Sequence, residues 1–399
     1  MSGRTLLLGY DLGDEKTRLA VYNRELREPE IIGQTEEEPD FLCDTAIRLK
    51  GHEPIYGFLD KIRRGEDIVV DGKVSNPVKA LAYYFRKTLT ATKKKYPTET
   101  IRQLVVTVEG QSAEFAQVIY DALAQLGIGK ERAVVMGHRQ CFPYFVLSQK
   151  KELWVNDVGM FDYSVTGLKY YQMQVDRRKT PIPVRVLEKD YTDAIEGLAG
   201  DEAQRSVVFE NVVYSAIHKQ ILSTLYMTGT GFEGEWSEEL FRKICVGRRL
   251  FKGNNLYVYG ACYAARELGE AGKLENYLMM DDDMIEHHLA LDIYGQAEEK
   301  EIIIAKAGTP WYQIDETVEV IPDGEKEIVL KVVNIFTKDT RQFILSLEPV
   351  LGKVNRQCRL AIRVRFSDVK TCVVTMKDIG FGQLFPTSNR IWERALDIG

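Results

Sequence analysis

TLLLGYDLGDEKTRLAVY, Thr5 to Tyr22, decides how the rest of the chain is read. The apolar run Leu6 to Leu8 leads into Gly9 and a lone carboxylate, Asp11, then Gly13, three charged residues and a second apolar run, Leu19 to Tyr22. That is a β-hairpin whose tight turn follows directly on an acid. Glycine at such a turn lets backbone N–H groups approach an anion, and a carboxylate at a strand end can hold a hydrated Mg²⁺ beside it. Two readings stay open: a phosphate clamp built on Gly9, Asp11 and Gly13, and an ordinary hairpin of a large α/β protein.

A weaker echo follows in LWVNDVGMFDYSVTGLKYY, Leu153 to Tyr171. Apolar residues again run into an acid, Asp157, then Gly159, a polar turn and an aromatic second strand, so an internal duplication is expected. Two such hairpins facing one another would grip a phosphate tail from both sides.

The 399 residues suffice for two or three domains with full cores. An apolar fraction of 45% with 28% charged residues is that of a globular protein. A formal charge of -6 argues against a general nucleic-acid surface. No apolar run reaches the roughly 18 residues of a membrane span and no signal-peptide core opens the chain, so a cytoplasmic protein is expected. The six cysteines are scattered and form no C-x-x-C pair, which points to buried free thiols. His287 and His288 are adjacent, face opposite sides of a strand and cannot share a metal.

Along the chain, Glu36 to Glu38 reads as a solvated loop face and Asp71–Gly72 as a turn. Asn76 and Pro77 open a helix to about Lys95; Ile101 to Val108 is a central strand; Ser112 to Leu126 is a helix; Ala133 to Met136 is a strand and His138 to Gln149 a helix. The rhythm is that of a sheet covered by helices. Tyr171 to Arg205 is polar, with Pro181 and Pro183, and reads as an exposed excursion or a small subdomain. A helix from about Val207 to Thr224 leads into Leu225 to Met227 and then Gly229, Thr230 and Gly231, a third potential anion or nucleotide contact ahead of a helix over Glu235 to Val246. Gly229, Gly231 and Gly234 spell G-x-G-x-x-G, but the acid a dinucleotide fold needs about 20 residues on is replaced by Gly253, Asn254 and Asn255, which disfavours a nicotinamide enzyme. Leu256 to Leu268 is a small-residue helix, and Lys273 to Asp283 a linker ending in three aspartates. Everything after about Met284 reads as strands, most clearly Arg359 to Phe366, with Pro322, Asp323 and Gly324 as a turn: an antiparallel β-sandwich with one wet face.

In this order the chain resembles the actin-like ATPase superfamily, and within it a degenerate, lidless DnaK-type heat-shock chaperone. GYDLGDEKTRLAVY looks like the first phosphate loop, LVVTV from Leu104 like the connecting strand, MTGTGFEG from Met227 like the adenosine-side glycine turn, and VYGACYAA from Val258 like the helix closing the second lobe. Leu278 to Asp283 sits at the place of the interdomain linker, and RLAIRVRF with TCVVTMKD resembles the peptide-binding sandwich. The resemblance implies a two-lobed actin-like (ribonuclease-H-like) nucleotide-binding domain over 1–272, with lobe I at about 1–150 and lobe II at about 151–272. A linker at 273–283 and a β-sandwich at 284–399 would follow. It further implies ATP or ADP with Mg, held by Gly9, Gly13, Gly159, Gly229, Thr230, Gly231 and the acids Asp11 and Asp157.

Several residues depart from the family pattern. Asp14 and Glu15 stand at the position of phosphate-facing threonines, Asp157 to Met160 replaces a glycine-rich run, and His138 to Gln140 replaces a glutamate. Phosphoryl transfer depends on positioning and charge neutralisation, so such losses weaken turnover before they weaken the fold. Three functions follow: a chaperone-like switch that binds nucleotide weakly or hydrolyses it slowly and is coupled to a peptide- or protein-binding β-domain; a nucleotide-independent pseudo-ATPase scaffold; and a filament former or small-molecule kinase using Asp157 or Glu109.

Overall fold

A computed structural model of the chain describes residues 5–33, 43–70, 73–198, 201–270, 272–295, 298–322, 324, 326–351 and 358–399. Glu36 to Glu38, the Asp71–Gly72 turn and Asp323 lie outside them. The protein is mixed α/β and divides into two compact units, one of residues 1–175 with 184–275 and one of 176–183 with 276–399.

Two sheets with one strand order organise the first unit. In the first sheet Ala133–Gly137, Thr100–Val108 and Thr5–Leu12 run parallel, and Thr5–Leu12, Lys16–Asn23 and Glu28–Ile31 form an antiparallel meander. In the second, Arg249–Lys252, Leu222–Thr228 and Asp157–Ser164 run parallel, and Asp157–Ser164, Gly167–Val175 and Ile182–Asp190 form the meander. The central strands read as unbroken apolar runs because both faces are covered: six of the nine residues of Thr100–Val108 are buried, as are seven of the eight in Thr5–Leu12.

Helices supply the cover. Pro77–Lys95 starts where expected: Asn76 Oδ1 accepts from the Val78 amide and Pro77 needs no donor at the first turn. Ser112 caps Ala113–Ala124 by accepting from the Phe115 amide. The helix Leu256–Gly269 follows the second sheet in sequence but lies on the first. Its Ala261, Ala264 and Ala265 share a core with Leu7 and Val105. A Cβ on Gly9 would stand 2.4 Å from both the Cys262 nitrogen and the Val258 oxygen, and one on Gly260 would stand 2.4 Å from the Cys141 oxygen of the helix His138–Leu147.

The second unit contains two four-stranded antiparallel sheets, ordered Glu298–Ala305, His287–Gly295, Glu327–Asn334, Thr340–Ser346 and Asp315–Val320, Leu360–Phe366, Thr371–Asp378, Ile391–Asp397. Leu289, Leu330, Val332 and Leu345 from one and Leu360, Ile362, Val364, Val374 and Met376 from the other belong to a single core. The alternation in Leu360–Phe366 falls as its side chains suggest, with Leu360, Ile362, Val364 and Phe366 inward.

Four readings need correction. The polar stretch after Tyr171 is no excursion, since Val184 and Val186 of Ile182–Asp190 are buried in a sheet. The helix expected to Thr224 is Glu202–Ile217, and Thr224 already belongs to Leu222–Thr228, where its hydroxyl donates to the Leu153 carbonyl. Within the expected linker, Tyr277–Met280 is a strand. The second hairpin turns at Val165 and Thr166, so Gly159 lies inside a strand and not at the turn. Its glycine signal belonged to Gly167, whose φ of 122° takes the strain of the turn.

Gly9→Ala is expected to destabilise the protein by about 1–3 kcal/mol, because the added methyl meets helix backbone that cannot swing aside. Urea unfolding of the two proteins measures it, and an unchanged midpoint would contradict the close packing of that helix on the strand.

Candidate functional site

The two hairpins bring their acids to one cavity. Asp11 stands opposite Arg18 across the first hairpin, and Asp162 stands opposite Lys169 across the second. Both acids occur near the ends of strands whose parallel partners stop beside them, Asp11 next to Thr107 and Asp162 next to Thr228. Around them lie Gly13, Glu109, His138, Gly229, Thr230 and Tyr257, enclosing about 70 Å³.

Asp11, 2% exposed, is held by the chain itself: His138 Nε2 lies 2.9 Å from its Oδ1 and Arg18 Nη1 3.6 Å from its Oδ2. His138 opens the helix His138–Leu147, so strand end and helix start deliver the pair together. Its ring stacks on Tyr257 at 3.8 Å with the planes 9° apart, and the Tyr257 hydroxyl donates to Asp162 at 2.6 Å. A continuous path of contacts therefore joins the acids of the two hairpins.

Other polar groups bridge the same two hairpins and their neighbours. Lys169 and Thr166 both donate to Glu109, at 2.9 and 2.7 Å, and Thr230 donates to Glu15 at 2.9 Å. The first turn is pinned from behind by Thr45 to the Gly13 carbonyl at 2.6 Å and by Arg63 to Asp14 at 2.8 Å.

Burial sets the proton affinities. It opposes charge on His138, but Asp11, with Glu109 and Asp162 further off, outweighs it and raises the imidazole above its usual 6.5. Burial pushes the Asp162 carboxyl up to about 6 although Tyr257 and His138 pull the other way. For Glu109 burial is overcome by Thr166, His138 and Lys169, and its carboxyl lies below the usual range. Lys169 is raised because Glu109 outweighs its own desolvation.

Of the residues expected at a phosphate site, Asp11, Gly13, Gly229 and Thr230 line this cavity, while Gly9, Asp157, Gly159 and Gly231 do not. Gly9 serves helix packing, and Gly159 is a buried strand residue. Asp157 starts its strand opposite Leu222, five residues from Asp162 and so roughly 16 Å away along the strand. It accepts from Gln172 at 2.7 Å and from Gln174 at 2.9 Å. Arg18, Asp162 and Tyr257 were missed. The signal for Asp162 was present: each acid precedes by seven positions the base opposite it, Asp11 before Arg18 and Asp162 before Lys169.

Among the described residues no group of three His, Cys, Asp or Glu could hold a metal ion. All six cysteines are free, with Cys141, Cys262 and Cys372 buried. No described helix is long and apolar enough to cross a membrane.

A profile described as a family of unknown function (DUF5716), C-terminal, matches residues 19–282, and the chain belongs to that family. A domain of unknown function (DUF8552) matches residues 284–398. No curated protein matches the chain.

Two pH effects follow. His138 binds its proton more tightly folded than unfolded, so the advantage of wild type over His138→Asn is expected to be complete below about pH 6.5 and to disappear as pH rises through the raised folded value. Asp162 acts oppositely: unfolded it ionises near 3.8, folded only near about 6, so wild type loses on the order of 2–3 kcal/mol relative to Asp162→Asn as pH rises between them. Urea midpoints from pH 4 to 8 give both curves, and parallel profiles for all three proteins would remove the basis of the assignment.

Proposed function

We propose that the chain is a nucleotide-independent pseudo-ATPase scaffold of the actin-like (ribonuclease-H-like) superfamily, related to DnaK-type chaperones, acting in the cytoplasm. One observation carries it: the acid that would face a metal-bound phosphate is neutralised by Arg18 and His138 in a cavity of about 70 Å³. Small-molecule sites occupy about 300–1,000 Å³, so a nucleotide would require Glu15–Thr230, Glu109–Lys169 and Tyr257–Asp162 to part. The two-lobed fold is supported by the common strand order of the two sheets, each a hairpin meander joined to a parallel pair.

Residues 284–399 would form a β-sandwich that docks a peptide or protein partner by strand addition, a reading supported by two antiparallel sheets around one core with edge strands such as Ile391–Asp397. Six free thiols support the cytoplasmic setting.

A second reading, a chaperone-like switch that binds Mg-ATP or ADP weakly or turns it over slowly, is favoured by Asp11, Gly13, Gly229 and Thr230 meeting at one cavity. Thermal unfolding with millimolar Mg-ATP, Mg-ADP and no nucleotide separates the two. A ligand at about 100 times its dissociation constant adds roughly 2.7 kcal/mol to the folded state. The scaffold is expected to show no shift. An upward shift that vanishes in Asp11→Asn would replace it with the switch.

A further inference from the structure

Apart from the charged site, the first unit holds a cavity of about 480 Å³ that shares only Asn254 with the charged site's wall. Its volume falls within the roughly 300–1,000 Å³ of small-molecule sites. Its lining is aromatic, with Phe145, Tyr226, Phe251, Tyr259 and Tyr263 around it.

Tyr226 and Phe251 are partners in adjacent parallel strands, and their rings lie 5.5 Å apart with planes 22° from parallel. Phe145 stands edge-on to Tyr226 at 5.3 Å and fixes the ring from the helix side. Tyr226 is 5% exposed, whereas Phe251 is 43% exposed, so the pair is a locked ring beneath an open one. Aromatic faces laid out in this way favour another flat π-system over a puckered one.

The polar handle is the Tyr226 hydroxyl. It makes no hydrogen bond among the described residues, although the side chain is almost wholly buried. The hydroxyl is not among the buried atoms left without a partner, so it opens to the cavity, where a ligand atom can take the place of water. Desolvation raises its pKa, so at neutral pH it keeps its proton and can donate as well as accept. Lys252 and Glu28, of opposite sign, both border the cavity, so its charged lining residues balance.

We propose that this cavity binds a small neutral molecule of one or two fused aromatic rings bearing a hydroxyl or ring nitrogen. Its face lies on the Tyr226–Phe251 pair and its polar edge meets the Tyr226 hydroxyl. The inference does not depend on whether the charged site takes nucleotide.

The test is calorimetric titration of the full chain with 2-naphthol and with decahydro-2-naphthol, which has the same skeleton and hydroxyl but puckered rings. The naphthol is expected to bind at least about fivefold more tightly. Phe251→Ala should weaken it roughly 2- to 10-fold by removing the ring face. Tyr226→Phe should weaken it by a similar factor by removing the hydrogen bond, while leaving 2-methylnaphthalene unaffected. Tyr226→Phe keeps the packed ring and should unfold at the wild-type urea midpoint, and the urea midpoint of Phe251→Ala shows that its fold is retained when binding is measured. Equal affinity for the flat and puckered compounds, or naphthol binding indifferent to both substitutions, would overturn the proposal.

Discussion

The first unit depends on one close approach, where the helix Leu256–Gly269 lies against the strand Thr5–Leu12 with no side chain between them at Gly9. The same helix touches the carbonyl of Cys141 at Gly260, so it is fixed in two directions by contacts that only a missing Cβ permits. Tyr257 is carried on the first turn of that helix, and its ring reaches His138 because the backbone beneath it is so close. A helix held one side chain farther out would leave His138 unstacked and Asp162 without its hydroxyl donor. Packing at an alanine- and glycine-rich surface therefore sets the geometry of a polar cluster that is remote from it in sequence.

Within that cluster, the balance of charge matters more than any single pair. Asp11, Asp162 and Glu109 meet His138, Arg18 and Lys169 along the wall of one cavity, with Asp11, Asp162 and His138 buried and Arg18, Glu109 and Lys169 partly exposed. Leaving one member unpaired there costs far more than the exchange of one partner for another. Each acid has a donor supplied by the chain, from both hairpins and from two helices, while His138 Nδ1 and Arg18 Nε are buried without a partner among the described residues. A metal-bound phosphate would have to displace these partners as well as find space.

The sequence made some of this legible and hid the rest for physical reasons. The first hairpin could be read because apolar strand, acid and glycine all fall in one short run. Strand and helix positions from Asn76 to Leu147 were readable from periodicity and from the caps at Asn76 and Ser112. The second hairpin was misplaced because its turn, Val165 and Thr166, carries none of the usual turn residues, while Asp157 and Gly159 imitate the first motif from inside a strand. Ile182–Asp190 was hidden by prolines and by four exposed residues at its end. Arg18 and Tyr257 gave no local signal at all. Arg18 looks like surface charge on an amphipathic strand, and Tyr257 like a core residue, until the third dimension sets them beside two acids.

The placement of the helix Leu256–Gly269 also has a consequence during synthesis. The last strand of the first sheet, Ala133–Gly137, leaves the ribosome about 130 residues before the helix that covers Leu7 and Val105 is complete. At 5–20 residues per second this is an interval of roughly 7–26 seconds. Through that time the nascent sheet keeps an apolar face open, and the whole second half must be made before the first can close. The first unit thus closes only after its second sheet and this helix are made, which gives it a long vulnerable interval.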